Sequence, residues 1–329
     1  MKICVYGAGA IGGLIAARLS QTGKPVSVLA RGETLNALQQ RGIGLAEGGD
    51  TRFYPVQAVD SEAPFAQQLG VQDLIVIAVK QPSLNAVLKQ IGPLVNEDTR
   101  VLLAMNGVPW WFLDGLADAP ADRTLRCVDP DGELRHYLPT RQVIGCVVHV
   151  AAATPEPGVT QLNGGDRLII GEPYGGLDAA TRTVAELLQG SGFAVELSNR
   201  IQRDIWFKLW GNMTMNPVSA LTRATTDAML DDPLVNLFCC RVMAEAAAIG
   251  DAIGCDVDQT VEERNRSTRK LGPFKTSMLQ DVEAGRALEY EALVGAVYEI
   301  AGKLGRDVPD IAALYGLIRL LDDNARKNN

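Results

Sequence analysis

The chain has 329 residues, of which 47% are hydrophobic and 21% charged, proportions typical of a globular protein. Its formal net charge of −8 excludes an overall basic surface for nucleic acid. The six cysteines are dispersed without a CxxC pair and only two histidines are present, so we expect no metal site. No signal peptide and no apolar run of membrane-spanning length is evident. These features predict a cytoplasmic protein with neither a membrane nor a nucleic-acid partner.

Strand and helix patterns alternate through the first part of the chain. The predicted elements are a strand at 2–6, a helix at 13–21, a strand at 26–30, a helix at 33–40, a strand at 73–79, a helix at 82–90 and a strand at 100–104. Residues 73–79 are almost continuously apolar, which is typical of a parallel strand buried on both faces. The alternation predicts an α/β fold with a Rossmann-type, doubly wound parallel sheet.

Helical periodicity replaces the strand pattern toward the C-terminus. Further strands are predicted at 143–152, 167–170 and 194–197, with a helix at 179–189. Long helical segments follow at 233–250, 259–269 and 289–304. We therefore predict a Rossmann domain at 1–199 and an all-α domain at 200–329.

A proline-rich excursion, Trp110–Arg141, separates the strands predicted at 100–104 and 143–152. Its two adjacent tryptophans, Trp110 and Trp111, would wall a ligand pocket, pack against the helices of the first domain, or contact another copy of the chain. The sequence leaves these three alternatives open.

A glycine loop, Gly7-x-Gly9-x-x-Gly12, follows the first strand and opens the first helix. In this context Gly7 permits a tight turn, Gly9 lets the backbone approach a pyrophosphate, and Gly12 lets the helix pack on the strand. The first helical residues, Ala10 and Ile11, would present N–H groups and the positive end of the helix dipole to the phosphates. The alternative is a glycine-rich turn that binds nothing.

The residue after the second strand indicates which nicotinamide dinucleotide is bound. An acidic side chain there would bind a ribose 2′-hydroxyl, but this chain has Arg31, whose guanidinium suits a 2′-phosphate. We therefore predict NADP (NADPH) as the cofactor. The alternative is that Arg31 is a solvated surface arginine. NAD also stays possible as the cofactor, because the acidic residue Glu33 lies nearby.

Three polar side chains in the C-terminal half, Lys208, Asn212 and Asn216, are spaced i, i+4, i+8 and so share one face of a helix. Apolar residues occupy the positions between them, which leaves little room for a wholly exposed helix. A cleft-facing stripe that meets a polar ligand is favoured over a solvent-facing one.

The whole chain resembles the ketopantoate reductase (2-dehydropantoate 2-reductase) family. The resemblance is carried by the glycine loop, by Asn106-Gly107, by the segment from Lys208 to Asn216-Pro217, and by Ser277-Met-Leu-Gln-Asp followed by Glu289. The last two segments are far more specific than the glycine loop. The family often shows an asparagine before Gly295, where this chain has valine.

The resemblance implies a role for each matching residue. A hydride would pass from NADPH to the C2 ketone of a branched 2-keto acid, and Lys208 would protonate the developing alkoxide. Asn212, Asn216 and Ser277 would hold the substrate carboxylate and hydroxyl. Glu289 would bind a substrate hydroxyl or orient Lys208.

Two further residues would contact the cofactor. Asn106 would touch the nicotinamide ribose and also border the substrate, and Lys80 resembles the family's cofactor-contacting lysine. For three positions a role outside the site is also open: Ser277 as a helix cap, Glu289 as a surface charge and Lys80 as a solvated loop lysine. His149, a lone histidine in a strand, is read as structural.

The predicted function is therefore NADPH-dependent reduction of ketopantoate for pantothenate synthesis, with a small-molecule 2-keto acid as the partner and a homodimer as the expected assembly. Two alternatives stay open: reduction of another branched 2-keto acid, and a non-catalytic NADP(H) sensor. We also expect the long excursion at Trp110–Arg141 to alter substrate choice.

Overall fold

The computed structural model describes residues 1–270 and 272–327, which form two compact units. The first unit comprises Met1–Met105 and Leu134–Ile201. The second comprises Asn106–Glu133 and the chain from Gln202 onward. The chain leaves the first unit for the last time after Ile201, two residues from the boundary predicted at 199/200. The prediction placed residues 106–133 in the first domain, whereas they belong to the second unit.

The first unit is built around one sheet. Its strands are β1 Ile3–Tyr6, β2 Val26–Ala30, β3 Ile43–Glu47, β4 Asp50–Tyr54, β5 Gln57–Asp60, β6 Leu74–Ile77, β7 Arg100–Ala104, β8 Val143–Glu156, β9 Val159–Gly171 and β10 Ala194–Ser198. The strand order is β4-β3-β9-β8-β7-β6-β1-β2-β5, and β10 pairs with one end of β9. The order reverses direction along the chain at β1, as expected of a doubly wound sheet.

Most neighbouring strands are parallel, which confirms the predicted α/β class. The central pairs β1–β2, β1–β6, β6–β7 and β7–β8 all run parallel. Every residue of β1 and of β6 is buried, in agreement with their continuous apolar sequences. Two pairs, β3–β4 and β8–β9, are antiparallel and make the sheet mixed.

Six helices belong to the first unit: α1 Ala10–Gln21, α2 Gly32–Arg41, α3 Ala66–Leu69, α4 Gln81–Ile91, α5 Leu134–Tyr137 and α6 Ala179–Gln189. Short 3₁₀ turns lie at Gly92–Leu94 and Thr140–Gln142. Leu14, Ile15 and Leu19 of α1 are at most 1% exposed and join the apolar core. This burial fixes the helix N-terminus at the end of β1, where the glycine loop lies.

The regular secondary structure in the described residues of the second unit is all helical, whereas Asn106–Glu133 consists of turns and loops without a helix. The helices of the second unit are α7 Ile201–Thr222, α8 Thr226–Asp231, α9 Pro233–Ala252, α10 Val261–Arg269, α11 Ser277–Glu283, α12 Ala296–Lys303 and α13 Pro309–Lys327. A π-helical turn, Glu291–Gly295, leads directly into α12. The helical segment predicted at 289–304 therefore contains a π-helical turn that its periodicity did not indicate.

Within the described residues, one helix, α9, is long and apolar enough to cross a membrane by length and composition. This corrects the expectation that no apolar run reaches such a length. Several of its side chains, including Cys239, Val242 and Met243, are buried in the structure. Core helices of globular proteins meet the same criterion, so the feature assigns no membrane contact.

The beginning of the Trp110–Arg141 excursion is a buried part of the second unit. Trp110, Trp111, Phe112 and Leu113 are all 0% exposed. The Phe112 ring stacks on Trp206 of α7 with 5.7 Å between centroids, and Gln202 Nε2 donates to the Asp114 carbonyl at 2.7 Å. Because both indole rings are fully buried, neither lines an open ligand pocket nor presents a surface to a second chain.

Candidate active site

The glycine loop of the first unit has the tight packing that the fingerprint predicts. Gly7 has a φ of +100°, and a Cβ there would lie 2.8 Å from the Ala78 carbonyl oxygen. A Cβ on Gly12 would lie 1.9 Å from the Gly7 carbonyl oxygen. Because backbone atoms cause both clashes, only glycine permits this approach of α1 to the ends of β1 and β6.

Gly9 differs from its two partners because it faces open space. A Cβ built on Gly9 would meet no atom within 4 Å. Gly9 is the N-cap of α1, and no side chain caps the helix start formed by Ala10 and Ile11. The unoccupied backbone N–H groups of this first turn are the donors that a pyrophosphate requires. The loop therefore fits a dinucleotide.

Arg31 lies where the sequence predicted it, directly after β2 and at the N-cap of α2. Its side chain is 72% exposed and Nη1 lies 3.1 Å from Oε1 of Glu62, whose side chain is 65% exposed. An exposed ion pair of this kind contributes at most about 1 kcal/mol. Arg31 is therefore available to an anionic ligand that offers stronger bonds. Lys80, the N-cap residue of α4, is half-buried at the end of the β6 segment.

The polar stripe of the second unit lies on a single helix. Lys208, Asn212 and Asn216 all belong to α7, which continues through Pro217. Lys208 and Asn212 are half-buried, and Asn216 is 7% exposed. The intervening Leu209 and Met213 are at most 2% exposed. The polar stripe of α7 is therefore half-buried or buried and does not face solvent.

Lys208 is held by a residue from a distant part of the chain. Its Nζ donates a hydrogen bond of 2.8 Å to Oδ1 of Asn106. Asn106 follows the C-terminal end of β7, two residues after Ala104. The sequence assigned both residues to the site, but it did not predict that they bond to each other.

Asn216 and Ser277 also come together. Asn216 Nδ2 lies 3.5 Å from Ser277 Oγ, at the outer limit of hydrogen-bond distance. Ser277 is exposed and is the first residue of α11, whereas the helix cap is Thr276, whose side chain accepts from the Leu279 N–H. The alternative that Ser277 caps the helix is therefore wrong, and its hydroxyl is available for another role.

Glu289 is half-buried and precedes the π-helical turn by two residues. The turn contacts the segment that carries Asn106, because Val108 donates its N–H to the Ala292 carbonyl at 2.8 Å. Gly107, with a φ of +82°, permits this contact, since a Cβ there would lie 2.7 Å from both the Cβ and the carbonyl oxygen of Ala292. The pairing of Gly107 with Ala292 was not predicted from the sequence.

The structure thus divides the predicted site residues into two groups. Gly7, Gly9, Ala10, Ile11, Gly12, Arg31 and Lys80 belong to the first unit, and Asn106, Lys208, Asn212, Asn216, Ser277 and Glu289 belong to the second. The second group offers one ammonium, three amides, one hydroxyl and one carboxylate. This combination suits a small polar substrate whose oxygen gains a proton.

Comparison with known proteins agrees with this chemistry. The family model "Ketopantoate reductase PanE/ApbA" matches residues 3–175, and "Ketopantoate reductase PanE/ApbA C terminal" matches residues 200–322. A 2-dehydropantoate 2-reductase from Mesorhizobium japonicum is 39% identical over 322 residues, which is 98% of each chain.

Solved structures give the same result. A candidate ketopantoate reductase from Ralstonia solanacearum MolK2 superposes with a TM-score of 0.93 at 49% identity, over 99% of this chain and 98% of the other. A 2-dehydropantoate 2-reductase from Methylococcus capsulatus has a TM-score of 0.83 at 25% identity, over 99% and 98% of the two chains.

These matches, together with the dinucleotide-type loop, identify the chain as an oxidoreductase that acts on a CH–OH group, of a family that depends on a nicotinamide dinucleotide. The chain belongs to the ketopantoate reductase family. The resemblance drawn from the sequence motifs is thereby confirmed.

Proposed function

We propose that this protein reduces the C2 ketone of 2-dehydropantoate to pantoate with NADPH, as a cytoplasmic step of pantothenate and coenzyme A synthesis. The observation that carries the proposal is the 2.8 Å bond between Lys208 and Asn106, on a helix whose polar stripe continues through Asn212 and Asn216. A half-buried ammonium held by an amide is suited to meet a carbonyl oxygen and protonate it.

The cofactor side of the proposal uses the first unit. The open position at Gly9 and the uncapped start of α1 would receive the pyrophosphate, and Arg31 would bind the 2′-phosphate. Lys80 and Asn106 would contact the remainder of the dinucleotide. NADPH, when bound, supplies the hydride that reaches C2 of the keto acid.

The substrate side uses the second unit. Lys208 would stabilise the growing negative charge on the ketone oxygen and then transfer its proton to that oxygen. Asn212, Asn216 and the exposed hydroxyl of Ser277 would hold the substrate carboxylate and hydroxyl. Glu289 would bind a substrate hydroxyl or orient Lys208, for which its position just before the π-helical turn is suitable.

The decisive experiment follows NADPH oxidation by absorbance with ketopantoate and a panel of other 2-keto acids, with NADH as the cofactor control. We expect rapid turnover of ketopantoate with NADPH. Turnover of another keto acid alone would refute the proposed substrate while keeping the reaction type. Preference for NADH would refute the role of Arg31.

The same assay tests two alternative functions, reduction of another 2-keto acid and binding of NADP(H) without catalysis. The panel includes aromatic 2-keto acids, because a D-mandelate dehydrogenase bound to NADH and anilino(oxo)acetate shares this fold with a TM-score of 0.82 at 22% identity. A non-catalytic NADP(H) sensor would bind NADPH and turn over no substrate. In that case Lys208→Ala would change nothing that the assay measures.

We also propose a homodimer as the assembly. A ketopantoate reductase from Staphylococcus aureus, described as dimeric, has a TM-score of 0.75 at 24% identity. Size-exclusion chromatography with light scattering tests this directly, and a mass near the 35.3 kDa of one chain would contradict it.

A further inference from the structure

The π-helical turn Glu291–Gly295 braces the segment that carries Asn106. Its Ala292 carbonyl accepts the Val108 N–H at 2.8 Å, and Gly107 fits against Ala292 without room for a side chain. Asn106 is the residue immediately before this contact. Turns of the π type inside helices occur frequently at functional sites. The contacts that stabilise this turn therefore bear on the position of Asn106.

Glu291 begins the turn and its side chain folds back over the turn. The carboxylate is partly buried, and Oε2 accepts a hydrogen bond of 2.8 Å from the Tyr315 hydroxyl of α13. Gly295 leaves the space for it, because a Cβ there would lie 2.5 Å from Glu291 Oε2 and 3.1 Å from the Tyr315 ring.

A carboxylate in this position is not explained by stability. Removing a carboxylate from water is unfavourable, and well-packed apolar residues of similar volume often stabilise a protein as much or more. Burial raises the pKa of Glu291 above its ordinary value of 4.5 despite the hydrogen bond from Tyr315. The positive charge of Arg319 lowers the pKa of Glu291, whereas the negative charge of Glu299 raises it.

We propose that Glu291 is a positioning residue: together with Tyr315 it holds the Glu291–Gly295 turn against Gly107 and Val108, and thereby fixes Asn106 for its bond with Lys208. Glu291 makes no hydrogen bond to Asn106 or Lys208 and acts only through the turn. The proposal rests on the proposed function, in which Lys208 is the proton donor.

The kinetic test compares Glu291→Gln and Tyr315→Phe with a neighbouring control, Tyr298→Phe. Tyr298 is 45% exposed and its ring lies 5.6 Å from that of Tyr315, yet its hydroxyl is not a donor to Glu291. We expect kcat to fall about ten-fold or more in the first two variants and Tyr298→Phe to retain wild-type kcat.

Two further measurements separate positioning from loss of fold. Kinetic constants are expressed per NADPH-binding site, so an unfolded fraction does not lower kcat. In a Lys208→Ala background, Glu291→Gln should cause no additional loss, because its effect passes through Lys208. An equal loss in that background, or a wild-type kcat in Glu291→Gln alone, would overturn the proposal.

Amide hydrogen exchange provides a readout that needs no turnover. The peptide containing Val108 should exchange faster in Glu291→Gln and in Tyr315→Phe than in the wild type or Tyr298→Phe. Unchanged exchange would refute the proposal that Glu291 holds this segment, even if the enzyme is active. If the wild type reduces no keto acid, the proposed function fails, and this measurement still decides whether Glu291 holds the segment.

Discussion

Oδ1 of Asn106 accepts a 2.8 Å hydrogen bond from Nζ of Lys208, although 102 residues separate the two in the chain. One partner follows the central strand β7 and the other lies within the longest helix of the structure. The bond fixes the flexible lysine stem in one direction.

Lys208→Ala should lower kcat by about 10²- to 10⁴-fold, because the proton donor is lost, while the Kd for NADPH stays the same. Asn106→Ala should lower kcat less, by about ten-fold or more, since the ammonium remains but is no longer held. The two changes together should cost no more than Lys208→Ala alone. Steady-state kinetics and NADPH titration measure all three variants, and additive losses would show that the residues act separately.

Gly9→Ala and Gly12→Ala form a matched pair for the glycine loop. The methyl group at position 9 meets open space, so Tm should be unchanged while NADPH binding weakens about ten-fold or more. The methyl group at position 12 would lie 1.9 Å from the Gly7 carbonyl oxygen, so stability should fall by about 1–3 kcal/mol. Thermal melts and NADPH titrations distinguish these outcomes, and equal destabilisation by both variants would contradict the prediction.

Arg31→Ala should reduce the preference for NADPH over NADH. A charge-assisted bond to a 2′-phosphate contributes about 1.5–3 kcal/mol, which is about a ten- to hundred-fold change in Kd for NADPH. Binding of NADH should hardly change. The control is Glu62→Gln, which removes the exposed partner of Arg31 and should leave NADPH binding equal or tighter. Weaker NADPH binding in Glu62→Gln would show that the ion pair orients Arg31 for the phosphate.

Ser277→Ala and Thr276→Ala separate substrate binding from helix capping. Thr276 is 2% exposed and caps α11, so its loss should lower stability by about 0.5–2 kcal/mol. Ser277 is exposed and caps nothing in α11, so its loss should raise the KM for the keto acid with little effect on stability. Urea denaturation and keto-acid titration provide the two readings. A normal KM in folded Ser277→Ala would remove this serine from the substrate site.

Glu291 should make the stability of the protein depend on pH. Burial raises its pKa in the folded state, so the folded protein binds this proton more tightly than the unfolded chain does. The stabilising contribution is complete below the ordinary pKa and is lost as pH rises through the raised pKa. Urea denaturation from about pH 5 to about pH 8 should show Glu291→Gln gaining stability relative to the wild type as pH increases. A constant difference would contradict the prediction.

Much of the first unit could be predicted because its sequence patterns are local. Strands β2 and β7 and helix α6 begin and end at the predicted residues. The apolar runs of β1 and β6 and the glycine loop each reflect packing within one βαβ unit. By contrast, no strand was predicted at β3, β4 or β5, and β4 is largely exposed and polar. Such strands are determined by pairing partners, which a single segment does not reveal.

The site was predicted in part for the same reason. The stripe of Lys208, Asn212 and Asn216 follows from helical periodicity alone. The Lys208–Asn106 bond, the Gly107–Ala292 contact and the bond between Glu291 and Tyr315 join segments far apart in the chain. Periodicity carries no information on such pairings. The sequence shows Gly107 after Asn106, but only the contact with Ala292 explains why glycine is required at this position.

The chain passes between its two units three times, after Met105, after Glu133 and after Ile201. A cut at the domain boundary that the sequence suggests would therefore leave Trp110, Trp111, Phe112 and Leu113 on the N-terminal fragment, separated from the rest of their unit, which includes the Trp206 ring that stacks on Phe112. Such a fragment would be prone to aggregation. During synthesis on the ribosome, the sheet is complete before α7 emerges. The nascent chain must therefore keep this apolar loop from aggregating until the later helices arrive to cover it.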